Sequence, residues 1–507
     1  MKVLVIGSGL SGLVSATYLA KAGHDVIVLE QNKEIGGVTM TLRKEGFGWD
    51  LGPLNIQDLG PGEPAGIVLE ELGVSNQIQI RLADKAISFY DFKLTKPQKY
   101  EGPYWRREKL KEIFPKEKEG IDQYYQFYEV MLGLLGLGRK VEKAKQPQAL
   151  ILKLRMAALF SKVSKMKDWN AQQLLNRFFR DPTLQTVFGG ILADFVVRPS
   201  QFQGLGIPFV NFETAFDDRI PLQTPYGPQP SYSVVLGGVG KMVEALAKKL
   251  KSLGGKILTL KEVTRILVDG GRATGVRLAD GREYPADLVI ASGGGHEVFE
   301  KLVGEALLTD EWKEKLRDLP LLESVLMVHL GIDFDPRKYQ PEMLVYYYHT
   351  TDIEGSIQRC QNGDYHEGKD GFLIYVPSLH SPELAPKGQH SMTIYTIAPD
   401  KLNKGDWGSR RGELVEKLLV EAEQIIPGLR KHAKVQVALT PVDFRKLTHL
   451  EHHAFGGTAP VMGKGGMPHQ TPIEGLWFVG AQSESGGGIS NVMAGARKTA
   501  KQILAKR

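Results

Sequence analysis

Near the start of the chain stands Gly7-Ser8-Gly9-Leu10-Ser11-Gly12, followed eighteen residues after Gly12 by Glu30. Glycines at this spacing handle phosphate. Gly7 allows a tight turn, Gly9 lets a pyrophosphate reach the backbone, and Gly12 lets a helix pack closely on a strand. Leu10 and Ser11 would open that helix, whose N-terminal N–H groups and partial positive charge attract anions. The carboxylate of Glu30 can accept both hydrogens of a ribose diol and would repel a 2′-phosphate. A glycine-rich turn formed by chance is the plain alternative, but the flanking periodicity argues against it. Lys2–Ile6 reads as a buried parallel strand, Leu13, Ala16, Leu19 and Ala20 share one helical face, and Asp25–Leu29 reads as a second strand. The pattern predicts a bound dinucleotide.

A second set of glycines follows: Gln31, then Gly36-Gly37-Val38, then Asp50-Leu51-Gly52-Pro53-Leu54. A third lies near the other end, where the apolar run 476–479 leads into Gly480-Ala481-Gln482-Ser483-Glu484-Ser485-Gly486-Gly487-Gly488-Ile489-Ser490-Asn491-Val492 and a helix expected over 494–504. Between them, Leu236-Gly237-Gly238-Val239-Gly240-Lys241-Met242 heads a helix, and Val263 begins a strand and hairpin. On these residues the chain resembles the FAD-containing oxidoreductases of the phytoene desaturase and carotenoid isomerase group, relatives of the amine oxidases and retinol saturases. The resemblance implies an α/β fold: a discontinuous Rossmann-like FAD-binding domain of the GR2 type with an inserted antiparallel-sheet substrate domain and a helical, membrane-associating subdomain. It implies FAD contacts from Gly7, Gly9, Leu10, Ser11, Gly12, Glu30, Gln31, Gly36, Gly37, Gly52, Pro53 and Leu54, and from the backbone of Val263. At the C-terminal end it adds Gly480, Ala481, Gly488, Ile489, Asn491 and Val492, with a helix N-terminus aimed at the flavin edge that gathers charge on reduction. The family usually follows its Gly-Gly pair with Arg or Lys, where this chain has Val38.

Other motifs invite other chemistry. Gly237 to Lys241 looks like a Walker loop, but no glycine stands five residues before Gly240, and Met242 occupies the Ser/Thr position that binds Mg²⁺. Gly293-Gly294-Gly295 could mark a separate NAD site, or a return strand and turn of the FAD domain. His449, His452 and His453 could bind a metal, but only Glu451 stands near as a further ligand, and no metal is expected. His452 and His453 are instead candidates for acid–base or substrate contact beside the flavin, the alternative being a structural role.

With 507 residues the chain has length for two or three domains. A net charge of +6 is small for this size and predicts no nucleic-acid partner. One cysteine, Cys360, excludes an internal disulfide and fits a cytoplasmic setting. The expected FAD domain comprises 1–100, 226–310 and 436–507. A helical, aromatic-rich subdomain over 101–225 and an antiparallel-sheet domain over 311–435 form the substrate side. Four strands are expected in the latter, at 324–330, 343–349, 371–376 and 391–397, then a helix over 411–426. Tyr346 to Tyr348, Phe372, Tyr375 and Tyr395 could line its cavity or form ordinary core. In 149–167, Leu152, Met156, Leu159, Phe160 and Val163 fall on one helical stripe among many lysines. That stripe either packs on its own domain or rests on an anionic membrane. The resemblance implies an oxidoreductase for carbon–carbon bonds of an apolar isoprenoid or carotenoid-like lipid, by hydride transfer at flavin N5. Direction and redox partner stay open, and so do two alternatives: a flavin amine oxidase and a non-catalytic FAD-bound lipid-binding protein.

Overall fold

The computed structural model describes residues 1–52, 54–450 and 457–506. Its nucleotide part is a five-stranded parallel sheet, ordered Lys256–Leu258, Asp25–Leu29, Lys2–Ile6, Leu288–Ser292, Leu476–Val479. The near-continuous apolar strands follow from cover on both faces. Val3 and Val5 point into a layer of helices, Leu10–Lys21, Gly240–Ser252 and Ile489–Ala505. Leu4 points the other way, toward a three-stranded antiparallel sheet that includes Val263–Asp269 and Arg272–Leu278. The last helix begins at Ile489, directly after Gly488 at φ 92°, five residues before the start that the sequence suggests. Asn491 Nδ2 donates to Gly487 O at 2.9 Å and closes that first turn.

The substrate-side sheet has seven strands, ordered Ala433–Leu439, Ser324–Ile332, His390–Ala398, Gly371–Tyr375, Leu344–Tyr348, Lys85–Ser88, Lys93–Leu94. Two expectations are corrected here. The sheet is mixed, because Lys85–Ser88 runs parallel to Leu344–Tyr348. Residues 85–94, grouped by sequence with the nucleotide part, belong to this sheet instead, pairing across some 250 residues. One face, with Leu326, Val328, Ile374 and Ile394, packs on the helix Trp407–Ile425 through Leu414, Leu418 and Ala422. The opposite face meets the helical part.

That helical part holds Trp105–Ile113, Lys118–Lys143, Gln148–Phe160, Ala171–Phe178 and Pro182–Gly189. Its starts are written locally. Asn170 and Gln173 form a reciprocal capping box, and Asp181 caps the helix that Pro182 opens. The basic segment 149–167 is not one helix: it stops at Phe160 and resumes as a short turn at Ser164–Met166. Leu152 and Val163 of the expected stripe are buried against the domain. Leu150, Ile151 and Leu154 face outward at 55%, 52% and 63% exposure, joined by Phe160 of the expected stripe at 37%. No helix among the described residues is long and apolar enough to cross a membrane.

Candidate functional site

The three fingerprint glycines divide their work as their spacing implies. Gly7 has φ 90° and donates its N–H to Leu29 O at 2.8 Å, turning the chain off the first strand. A Cβ on Gly12 would stand 2.2 Å from Gly7 O, so helix and turn touch only because it is missing. A Cβ on Gly9 would meet nothing within 4 Å, the open face a pyrophosphate requires. Gly9 is also the extended N-cap of the first helix, with no side chain over its amides. Glu30 is buried at the tip of the second strand. Its Oε2 accepts from Ser8 N (2.9 Å) and Ser8 Oγ (2.6 Å), and its Oε1 from Asn32 N (2.8 Å). Those bonds fill most of a carboxylate's roughly four acceptor positions, so a ribose would meet chiefly Oε1 rather than the whole carboxylate. Ser8, which sequence reasoning passed over, is the brace that orients Glu30.

The other predicted residues gather around this turn. Ser8 Oγ also accepts from Gly36 N at 3.2 Å, and a Cβ on Gly37 would lie 3.9 Å from Gly9 Cα. The Gly-Gly pair therefore lies beside the phosphate turn. Gly52 approaches Val38 O so closely that a Cβ would sit at 2.5 Å. Leu260 N and Lys261 N donate to Asn32 O and Glu30 O, which draws the start of the Val263 strand beside the second strand's tip, where an adenine would follow the ribose. Gln31 Nε2 reaches Thr448 O at 3.4 Å, pointing to the helix Pro441–Thr448. From the far end, Ser11 Oγ bonds Ser292 Oγ (3.0 Å), and a Cβ on Gly480 would lie 3.5 Å from Gly293 O. Ala481 and Val492 are half-buried beside this turn, and Ile489 is buried under it. Gly488 and Asn491 are exposed. The residues present fit a long dinucleotide with its pyrophosphate over Gly9 and its far end toward the C-terminal glycines. Pro53, His452 and His453 lie outside the described residues.

Two loops with competing readings are resolved by their bonds. Val239 N donates to Asp50 Oδ1 (2.9 Å) and Gly240 N to Thr41 Oγ1 (3.0 Å). The amides a Walker loop would turn to phosphate are thus held inside the fold, and burial raises the Asp50 carboxyl to about 6. Likewise Gly295 N donates to Gln482 Oε1 at 2.6 Å, tying the Gly293-Gly294-Gly295 turn to the C-terminal loop.

Beyond these loops lies a buried aromatic cluster. Val325, Met327, Leu373, Tyr375 and Tyr395 of the seven-stranded sheet face Phe188, Phe202, Phe212 and Phe216 of the helical part. Val38 and Leu54 of the cofactor loops pack against the same cluster. Of the aromatics singled out in sequence, Tyr346, Tyr348, Tyr375 and Tyr395 face this side, while Tyr347 and Phe372 pack on the opposite one. The strand alternation decides which is which.

A parallel sheet bearing a glycine turn is thus joined to a second, seven-stranded sheet with an aromatic cluster on one face, an arrangement suited to a dinucleotide-dependent oxidoreductase. The profile described as flavin containing amine oxidoreductase matches residues 10–504, and the chain belongs to that family, with FAD as its cofactor. Over 535 residues it is 25% identical to prolycopene isomerase 1, chloroplastic, of an Oncidium hybrid cultivar, covering 99% of this chain and 84% of that protein. It is 25% identical over 525 residues to the lycopene-forming phytoene desaturase of Pseudescherichia vulneris, covering 99% of each. Among solved structures, an oxidoreductase from Methanosarcina mazei matches with TM-score 0.64 at 21% identity, over 99% of this chain and 100% of that one. Putrescine oxidase bound to putrescine matches with TM-score 0.63 at 14% identity, over 100% and 99%. At those identities the two structures speak for the fold alone.

Proposed function

We propose that this oxidoreductase acts on carbon–carbon bonds of an apolar isoprenoid or carotenoid-like lipid, desaturating, saturating or isomerising it. The buried apolar cluster between the seven-stranded sheet and the helical part carries the reading: its side chains are aromatic and aliphatic, and Val38 and Leu54 beside the cofactor loops pack against it. An extended apolar ligand lying against these side chains would be stripped of water and held by dispersion and the hydrophobic effect. Bound FAD supplies a hydride acceptor or donor at N5. The chain's own part is to hold FAD through the fingerprint turn, Glu30, the Gly36-Gly37 pair, Val263 and the Gly480 to Val492 loop, and to orient the lipid. The names of the desaturase and isomerase relatives support the same substrate class.

Anaerobic reduction of FAD-loaded protein, followed at the flavin absorbance band, tests this. Bleaching by phytoene in detergent identifies a desaturase. Bleaching by NADH or NADPH, with turnover of a polyene, identifies a saturase or a reductively activated isomerase. Bleaching by amines alone moves the protein to the amine oxidases, and inertness to all of these leaves a lipid-binding flavoprotein.

A surface observation favours a membrane-side entry for the lipid. Leu150, Ile151 and Leu154 stand exposed on Gln148–Phe160 among exposed Lys145, Lys153, Arg155, Lys162 and Lys165. An apolar strip ringed by cations fits an anionic bilayer surface. The protein should sediment with vesicles containing phosphatidylserine, and less with neutral ones. Retention of that binding by the triple variant Leu150→Ser, Ile151→Ser, Leu154→Ser would sink this reading.

A further inference from the structure

The C-terminal loop is fastened by a histidine that the motifs do not single out. His469 is 1% exposed and lies against the strand Leu476–Val479. Its carbonyl accepts from Phe478 N at 2.9 Å, and its ring Nδ1 meets Phe478 O at 2.8 Å. A backbone carbonyl only accepts, so Nδ1 carries the ring's proton and Nε2 is left as an acceptor. Nε2 stands 2.6 Å from Ser485 Oγ, which therefore donates. Ser485 opens the run Ser485-Gly486-Gly487-Gly488 that leads into the helix Ile489–Ala505. That helix leaves room for the pair: a Cβ on Gly495 would overlap Ser485 Oγ and stand 3.1 Å from His469 Nε2. Met467 N donates to Gln482 O (2.8 Å) and Glu484 N to Met467 O (2.7 Å), so backbone bonds hold the first half of the loop. Where those bonds end, the Ser485 hydroxyl takes over.

Protonation of His469 would reverse this bond. Both ring nitrogens would then donate, Ser485 Oγ would have to accept, and the hydroxyl hydrogen would lose its acceptor. The charges that face the ring are Glu484 of the loop and Lys498 of the last helix, bonded to one another at 3.0 Å. The strand Leu476–Val479 brings no charge, only the Phe478 carbonyl. Burial is the largest influence and holds the ring's proton affinity below the usual 6.5. The Phe478 carbonyl and Glu484 oppose it, and Lys498 reinforces it. At pH 7 the native ring is therefore neutral. We propose that His469 is a positioning residue for FAD: its neutral ring fixes Ser485, and through Ser485 the glycine turn that receives the cofactor, and acid releases that turn. This goes beyond the reading of the substrate and rests only on the loop's part in holding FAD.

The full chain, stripped of its flavin, is titrated with FAD from about pH 5 to about pH 8, following flavin fluorescence, with melting temperatures taken before FAD is added. Native affinity should fall as pH drops below about 6.5, because the free protein takes up a proton that the FAD-bound form refuses. Ser485→Ala should bind FAD about tenfold more weakly at pH 7, the size of one hydrogen bond, and should lose the acid dependence. Ser485 is half-buried, so the FAD-free melting temperature of that variant should stay close to native. His469→Gln, whose amide offers one donor and one acceptor and does not titrate, should keep affinity within about threefold of native and also lose the acid dependence. Adding Ser485→Ala to His469→Leu should cost no further affinity. Native-like affinity in Ser485→Ala, or an acid dependence that persists in either Ser485→Ala or His469→Gln, overturns the inference. Equal losses in His469→Gln and His469→Leu, matched by lowered FAD-free melting temperatures, would leave His469 a structural residue and overturn it too. Bleaching of the flavin by phytoene in a protein without the acid dependence would sink this inference and leave the lipid oxidoreductase standing. Failure of the native chain to bind FAD at any pH would remove both.

Discussion

Gly9 and Gly12 stand three positions apart and have opposite surroundings, one facing open space and the other a carbonyl at 2.2 Å from its absent Cβ. Their substitutions should therefore part company. Gly12→Ala forces helix and turn apart and should cost about 3 kcal/mol or more, seen as a lowered melting temperature even without cofactor. Gly9→Ala should leave the apo melting temperature close to native while reducing the FAD retained on purification, measured by absorbance ratio. These glycines and Glu30 were legible in sequence because the turn and the carboxylate bonded to it lie within thirty residues of one another. The Asp50 contact to Val239, across 189 positions, was not, since nothing local announces a partner so distant. Lys85 was equally silent, as an exposed-looking strand lysine whose burial depends on sheet order. Its pKa falls from 10.5 to about 7 through burial, assisted by Arg106 and opposed by Asp194 and Glu213. Between those values the unfolded chain binds the extra proton, so native stability gains from this group as pH rises from 7 toward 10. Denaturation curves across that range should rise less steeply in Lys85→Met than in the native protein.

At the scale of elements, periodicity found the strands and mistook the company they keep. Lys2–Ile6 and Leu476–Val479 read as apolar runs because both their faces are covered, whereas Lys256–Leu258 at the sheet edge is partly exposed. The pairing of Lys85–Ser88 with Leu344–Tyr348 could not be read, because parallel neighbours so far apart leave no turn between them. In the segment 149–167 the stripe faces inward only in part, with Leu152 and Val163 buried and Phe160 exposed, and the outward strip of Leu150, Ile151 and Leu154 was hidden by the assumption of one continuous helix. These three side chains are more than half exposed, so their serine variants should shift stability by no more than about 0.5 kcal/mol each. Chemical denaturation gives that figure independently of vesicle binding. A larger loss would mean that the strip packs on something within the protein.

For the molecule as a whole, the proposed cofactor cradle draws on widely spaced segments: the first turn, the Gly36-Gly37 pair, the strand at Val263, and the loop from Gly480. The motifs predict this discontinuity, and the strand order is consistent with it, since the first strand sits at the sheet's centre with later strands added on both sides. FAD bridging these segments should stabilise the native state alone. At a hundredfold excess over its dissociation constant it should add about 2.7 kcal/mol, visible as a rise in melting temperature that Gly9→Ala abolishes.

The position of Leu476–Val479 at the edge of that sheet, beside Leu288–Ser292, also fixes an order of events in the cell. A chain leaving the ribosome can form the phosphate turn almost at once, yet the loop that completes the cradle emerges only after the whole seven-stranded sheet has been made. Nascent chains thus carry an unfinished cradle through most of translation. Capture of the cofactor by all of these segments together is therefore confined to finished chains.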